Sequence, residues 1–159
     1  MTNKCSAIPT GYHSITPYLA TTLASKAIEF YKQAFAAKEI MRFEGDDGKI
    51  GHAELMIGDS KLMIGDKSPE EANETNPSGI AIHLYVEDVD AVVAKSLHHG
   101  ATLLRDIENK FYGDRSGMIQ DPFGFVWNIA THIEDLTPDE IQKRAHTEGV
   151  RLKKLTVHE

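Results

Sequence analysis

The sequence predicts an α+β chain built from two similar halves, each running strand, helix and then three strands, with one more helix after the second half. Three observations lead there. The order of hydrophobic patterns after Gly79 repeats the order found before Asp66. A polar stretch carrying Pro69, Asn73, Asn76 and Pro77 separates the two. A helix-start signature stands by itself beyond Ile133.

In the first half, residues 12–20 alternate and are rich in β-formers, which predicts a strand. Pro17 within it lacks an N–H and so places that strand at a sheet edge or a bulge. Ala27, Ile28, Tyr31, Ala34 and Phe35 recur at helical spacing and predict a helix over 23–36. A strand over 39–43 leads into the turn Glu44-Gly45-Asp46-Asp47-Gly48. Residues 50–57 alternate, with Ile50, His52, Glu54 and Met56 on one face and Gly51, Ala53, Leu55 and Ile57 on the other. Gly58-Asp59-Ser60 forms a hairpin turn, and 61–64 is the return strand.

The second half repeats this order: a strand over 80–86, a helix over 89–99 closed by Gly100, and strands from 102, over 113–120 and over 125–131. Asp121-Pro122-Phe123-Gly124 has the pattern of a type I turn. Thr137-Pro138-Asp139-Glu140 is a capping box with Pro in the first helical position, opening a helix to about Thr147 that packs on the domain or on a partner subunit. The expected organisation is a first module over 8–66, a linker over 67–79, a second module over 80–132 and a C-terminal helix and tail over 133–159.

At 159 residues and 41% hydrophobic the chain can build one sizeable core. Its formal net charge of −7, with no stripe of Lys and Arg, argues against nucleic acid as a partner. Arg151, Lys153 and Lys154 read as a solvated tail. The one cysteine, Cys5, excludes an intramolecular disulfide and suits a reducing cytoplasm. It lies near the start of the chain without a neighbouring base to lower its pKa, so a catalytic thiol is not expected. There is no apolar signal-peptide core at the N-terminus and no apolar run of membrane-spanning length. Gly-rich phosphate loops, a serine nucleophile elbow and paired-cysteine zinc sites are absent from the sequence.

Several local motifs carry a family resemblance. They are Ala27-Ile28-Glu29-Phe30-Tyr31 with Phe35, Val86-Glu87-Asp88-Val89-Asp90-Ala91 entering the second helix, and Asp121-Pro122-Phe123-Gly124 before the last strand. Together they resemble the vicinal oxygen chelate superfamily of glyoxalase I, bleomycin-resistance proteins and extradiol dioxygenases. Thr16-Pro17-Tyr18-Leu19, Gly51-His52-Ala53-Glu54-Leu55, Tyr112-Gly113-Asp114-Arg115-Ser116-Gly117 and Trp127 with Ala130-Thr131-His132 resemble its PhnB-like branch. The resemblance spans residues 8–144 and implies a glyoxalase-like fold of paired half-barrels around one cavity, a small-molecule ligand and a homodimer. It also implies metal ligands on the first and fourth strand of each half. By spacing these positions fall on Thr16, Met63, Ala81 and Asn128, which do not make a divalent-metal set. A metal-free, cofactor-free site is therefore expected, and glyoxalase I and dioxygenase chemistry, which needs the metal, is disfavoured.

His52, Glu54 and His83 are the candidate catalytic residues. His52 and Glu54 share a strand face, so Glu54 is placed to orient His52 as an acid/base group. The same three side chains have the composition of a displaced metal site, and equally of hydrogen-bonded groups lining a wet pocket. The expected ligand-contacting residues are Thr16, Tyr18, Met63, Tyr85, Tyr112, Asp114, Arg115 and Asn128. An Arg115 held by Asp114 either clamps a carboxylate or phosphonate or fixes its loop. Trp127 faces away from Asn128, into the core. His132 shares the parity of Asn128 at the strand end, and His98 and His99 end a helix. Met41, Met56, Met63 and Met118 are core candidates, with Met63 also suited to an apolar ligand. The expected function is binding of a small organic molecule between the modules. The alternatives are a metal-dependent lyase or oxygenase with a displaced site, and a non-enzymatic protein that interacts through its third helix.

Overall fold

Alternating side chains and tight turns organise each half into its own four-stranded sheet. In a computed structural model describing residues 6–68, 71 and 79–149, the first half runs β1 (Tyr18–Thr21), α1 (Ala24–Phe35), β2 (Lys38–Glu44), β3 (Ile50–Ile57) and β4 (Ser60–Asp66). The second runs β5 (Ile82–Tyr85), α2 (Val89–His98), β6 (Thr102–Asn109), β7 (Asp114–Gln120) and β8 (Val126–His132), followed by α3 (Pro138–Thr147). Strand orders are β1-β4-β3-β2 and β5-β8-β7-β6. In each sheet the first and fourth strands pair parallel and the other pairs are antiparallel. Each half is thus a βαβββ module, and the second repeats the first strand for strand. Cys5, the Arg151, Lys153 and Lys154 cluster and most of the expected linker lie outside the described residues.

One face of each sheet is apolar and covered. Ala53, Leu55 and Ile57 of β3 and Leu62 and Ile64 of β4 alternate toward α1, which buries Ala27, Ile28, Tyr31, Ala34 and Phe35 against them. Ile50, expected on the His52 face, is buried in this core instead, because a register shift against β2 interrupts the alternation between it and His52. The second module contributes Val89, Val93, Ile119, Trp127 and Ile129 to the same core. The two halves meet where Trp127 packs on Tyr31 and Phe35, with ring centroids 5.4 and 4.8 Å apart. Beneath these rings Asp121 is buried. Its carboxylate accepts from the Tyr31 hydroxyl at 2.6 Å, Trp127 Nε1 at 2.9 Å and the Phe123 and Phe125 amides, each at 3.0 Å. Burial pushes the Asp121 carboxyl up, and those donors pull it back.

Helix ends follow local chemistry. Leu23 at the N-cap of α1 has no capping side chain. Asp66, at the end of β4, substitutes: its carboxylate accepts from the amides of Ala24 at 3.0 Å and Ile50 at 2.8 Å. α2 is capped by Asp88 accepting from the Ala91 amide at 3.0 Å. The expected capping box of α3 forms between Thr137 and Glu140. The preceding segment docks on the β6–β7 turn through the Ile133 and Glu134 amides, which both donate to the Gly113 carbonyl.

Three elements differ from the pattern-based expectation. The first strand starts at Tyr18 rather than at residue 12. Pro17 stands just before it, with its carbonyl accepting from the Met63 amide at 2.9 Å, and β1 is an edge strand. The return strand β4 runs on to Asp66 because Thr21 pairs with it in register. β6 extends to Asn109, through two register shifts against β7 that the periodicity gave no sign of.

Candidate functional site

The other face of each sheet carries no helix. Cross-strand partners share a face, so register defines what lines it. In the first module Tyr18, Met63, Glu54 and Met41 fall in one row. In the second His83, Asn128 and Met118 fall in one row, and Tyr85, Ala130 and Ser116 in the next. Tyr18, Met41, Phe43 and Tyr85 are exposed there, and Met56, Met63 and Met118 are half-buried, so none of the four candidate methionines is core.

Two clusters, each joining a buried carboxylate to a tyrosine and a histidine, lie on these faces. In the first, Glu54 is almost completely buried and accepts from the Tyr12 hydroxyl. His52 Nε2 lies 3.3 Å from its second oxygen. Lys61 Nζ lies 3.7 Å over the Tyr12 ring. The Tyr12 hydroxyl, then His52 and Lys61, hold the Glu54 carboxyl below the usual carboxylate range, and Glu54 in turn pushes the Tyr12 phenol up. In the second cluster Asp114 is buried. It accepts from the Tyr85 hydroxyl at 2.8 Å and contacts His132 Nδ1 at 2.8 Å. His132 Nε2 lies 2.9 Å from Asp135. Asp114 first, then Asp135, raise the His132 imidazole, and Asp114 raises the Tyr85 phenol. Both carboxylates stand on the third strand of their module, β3 and β7.

His52 and Glu54 are therefore brought together, as their shared strand face requires. His83 stands apart from them: its Nδ1 lies 2.8 Å from the Asn128 side-chain nitrogen, and its ring lies 4.6 Å from that of Tyr85. Among the described residues no three His, Cys, Asp or Glu side chains gather at metal-binding spacing. Register also corrects the expected ligand positions. Tyr18, not Thr16, sits beside Met63, and His83, not Ala81, sits beside Asn128, because Thr16 and Ala81 both precede their strands. A phenol, a thioether, an imidazole and an amide still do not fit a divalent cation.

The expected Asp114–Arg115 pair does not form, because adjacent strand residues point to opposite faces. Arg115 instead makes a bidentate pair with Asp90 of α2, at 2.7 and 2.8 Å, and a bond to Asn109 at 3.0 Å. Tyr112 packs edge-on against Phe111 at 5.2 Å. Thr16 lies with His83, Tyr85, Lys61 and Trp127 around a cleft of about 400 Å³ between the modules. Tyr18 lines a separate cleft of about 510 Å³ between β1 and the start of β5. The pattern of residues gave no sign of Tyr12 or Lys61, since the contact joining them to Glu54 crosses from an irregular segment to a sheet. For His132 the shared parity with Asn128 was the available signal.

Comparison with known proteins agrees with this architecture. The model of the glyoxalase/bleomycin resistance protein/dioxygenase superfamily matches residues 13–129. An uncharacterised protein of Mycobacterium bovis is 36% identical over 143 residues, covering 86% of this chain and 94% of that one. An uncharacterised protein of Mycobacterium tuberculosis is 36% identical over 143 residues, covering 86% and 84%. Among solved structures, TioX from a Micromonospora species superimposes with a TM-score of 0.60 at 23% identity, over 76% of this chain and 99% of that one. A PhnB protein from Bacillus cereus superimposes with a TM-score of 0.64 at 20% identity, over 75% and 99%. At those identities the structural likenesses speak for the fold alone. The paired βαβββ modules and the family match lead to one conclusion: the chain belongs to the glyoxalase/bleomycin resistance protein/dioxygenase superfamily.

Proposed function

We propose that this protein binds a small organic molecule in the cleft of about 400 Å³ between its modules, as a cytoplasmic homodimer, without the divalent metal used by glyoxalase I and the extradiol dioxygenases. The observation that carries the reading is the register pairing of Tyr18 with Met63 and of His83 with Asn128, at the positions where those relatives place metal ligands. The volume lies in the usual range for small-molecule sites. Thr16, His83 and Tyr85 supply polar contacts there, and Ile57, Leu62 and Ile82 supply apolar ones. The exposed Tyr18, Met41, Phe43 and Tyr85 on the helix-free faces support a second copy covering them.

The test is a thermal-shift and calorimetric screen of small organic metabolites on untagged protein treated with chelator. A ligand at a hundred times its Kd stabilises the fold by about 2.7 kcal/mol, which a melting curve resolves, and His83→Ala should remove the effect. Stoichiometric divalent metal that is lost in His83→Ala, with ligand binding lost alongside it, would sink the metal-free reading. A second reading places the ligand outside that cleft, on the helix-free face beside Tyr18, where His52 acts on it as an acid/base group; the nearly buried Glu54 beside its imidazole supports this reading. Under that reading His52→Gln abolishes turnover while leaving ligand affinity within a few-fold of wild type.

A further inference from the structure

A larger cleft, of about 930 Å³, opens between the C-terminal end of α1, α2 and the ends of β5 and β8. Phe35, Met56, Leu84 and Val92 form apolar walls, while Lys38, Lys95 and His132 bring cationic groups to it and Glu87 one acid. No carboxylate pairs with Lys38 or Lys95 among the described residues. His132 is differently placed. Its Nδ1 is anchored 2.8 Å from the buried Asp114, whose other oxygen is held by Tyr85. Its Nε2 meets Asp135, whose side chain is fully exposed at 103%. An exposed pair of that kind contributes little and is readily displaced. The pair with the buried Asp114 fixes the half-exposed ring and favours its protonated form.

We propose that this cleft is a binding site for a small organic anion with an apolar tail, whose carboxylate takes the Nε2–H of His132 in place of Asp135. The tail lies against Phe35, Met56, Leu84 and Val92, and Lys95 adds a second charge. This site is distinct from the smaller cleft, with which it shares only a wall at Ile57, Gly58, Leu84 and Tyr85. Arg115, which the sequence offered either as an anion clamp or as a loop anchor, pairs with Asp90 of α2.

Octanoate is the probe, with octanol as its uncharged counterpart, titrated calorimetrically into the full chain at about pH 6 and about pH 8.5. The groups facing His132 are Asp114, Tyr85 and Asp135, with Lys38, Lys95 and Glu87 on the same cleft. Octanoate should bind at least about tenfold more tightly than octanol at the lower pH, the worth of one charge-assisted hydrogen bond. Its affinity should fall as His132 deprotonates, and His132→Gln should weaken it by about tenfold. Asp135→Asn removes the competing carboxylate without touching the core and should tighten octanoate binding several-fold. In the histidine NMR spectrum, octanoate should move the His132 signals. Absence of octanoate binding, equal affinity for octanol, an Asp135→Asn variant no tighter than wild type, or shifts confined to His83 would each overturn the proposal.

Discussion

Replacing Asp121 with Ala should weaken the whole fold, because this one carboxylate joins the two modules. It accepts four hydrogen bonds, two of them from side chains of Tyr31 and Trp127 that are themselves 0% and 1% exposed. Among the described residues no buried side-chain nitrogen or oxygen lacks a partner, so the wild-type core starts fully satisfied. The substitution strands the Tyr31 hydroxyl and the Trp127 indole N–H away from water. Each stranded donor costs about 1–3 kcal/mol, and two give roughly 4 kcal/mol. The turn amides of Phe123 and Phe125 are in half-buried residues and add less. For a chain of this size such a loss lowers Tm by about 8–16 °C. The assay is equilibrium urea denaturation. It is followed by fluorescence of Trp127, the single tryptophan, and by far-UV circular dichroism, since the substitution lies beside the indole. An unchanged m-value with a reduced midpoint would assign the loss to stability. Tyr31→Phe removes one donor and should cost about 1–3 kcal/mol. The double variant should lose less than the sum by at least about 0.5 kcal/mol. A loss under about 0.5 kcal/mol for Asp121→Ala, or strict additivity of the pair, refutes the assigned role of this network.

Two further outcomes are expected. Gly113→Ala should destabilise by about 1–3 kcal/mol, because Gly113 has φ +99° and a Cβ there would run into the Glu134 carbonyl; chemical denaturation measures this, and a neutral result would mean that the β6–β7 turn and the segment before α3 are not docked as described. Tyr12→Phe removes the main cause of the lowered Glu54 pKa. Glu54 stabilises the fold above the ordinary carboxylate range and loses that contribution as pH falls through its depressed folded-state value. The variant should therefore be less stable than wild type near neutrality, with the gap closing in acid, and a gap independent of pH in urea denaturation would count against it.

Much of the architecture was legible in the chain because it rests on local pattern. Residues 50–57 alternate, and β3 forms over that span. The Thr137 capping box, the Asp121-Pro122-Phe123-Gly124 turn and the helical spacing of Ile28, Tyr31 and Phe35 are short-range signals set by backbone chemistry. Trp127 as core followed from its parity with Asn128. The repeat of element order exposed the two modules, and His52 and Glu54 were paired by strand geometry alone.

Tertiary structure decided the rest, because register and long-range contact leave no periodic trace. Only strand pairing shows that Tyr18 and His83, rather than Thr16 and Ala81, neighbour the fourth-strand positions. Arg115 was free to take Asp114 in the sequence. In the fold it faces away from that residue and takes Asp90, which α2 delivers from 25 positions earlier in the chain. Tyr12 and Glu54 lie 42 positions apart, and Tyr31 and Asp121 lie 90 apart. The sequence determined which elements form and which face of each is apolar. Packing the two modules together decided which polar groups meet, because those contacts exist only once a shared core has fixed the sheets relative to each other.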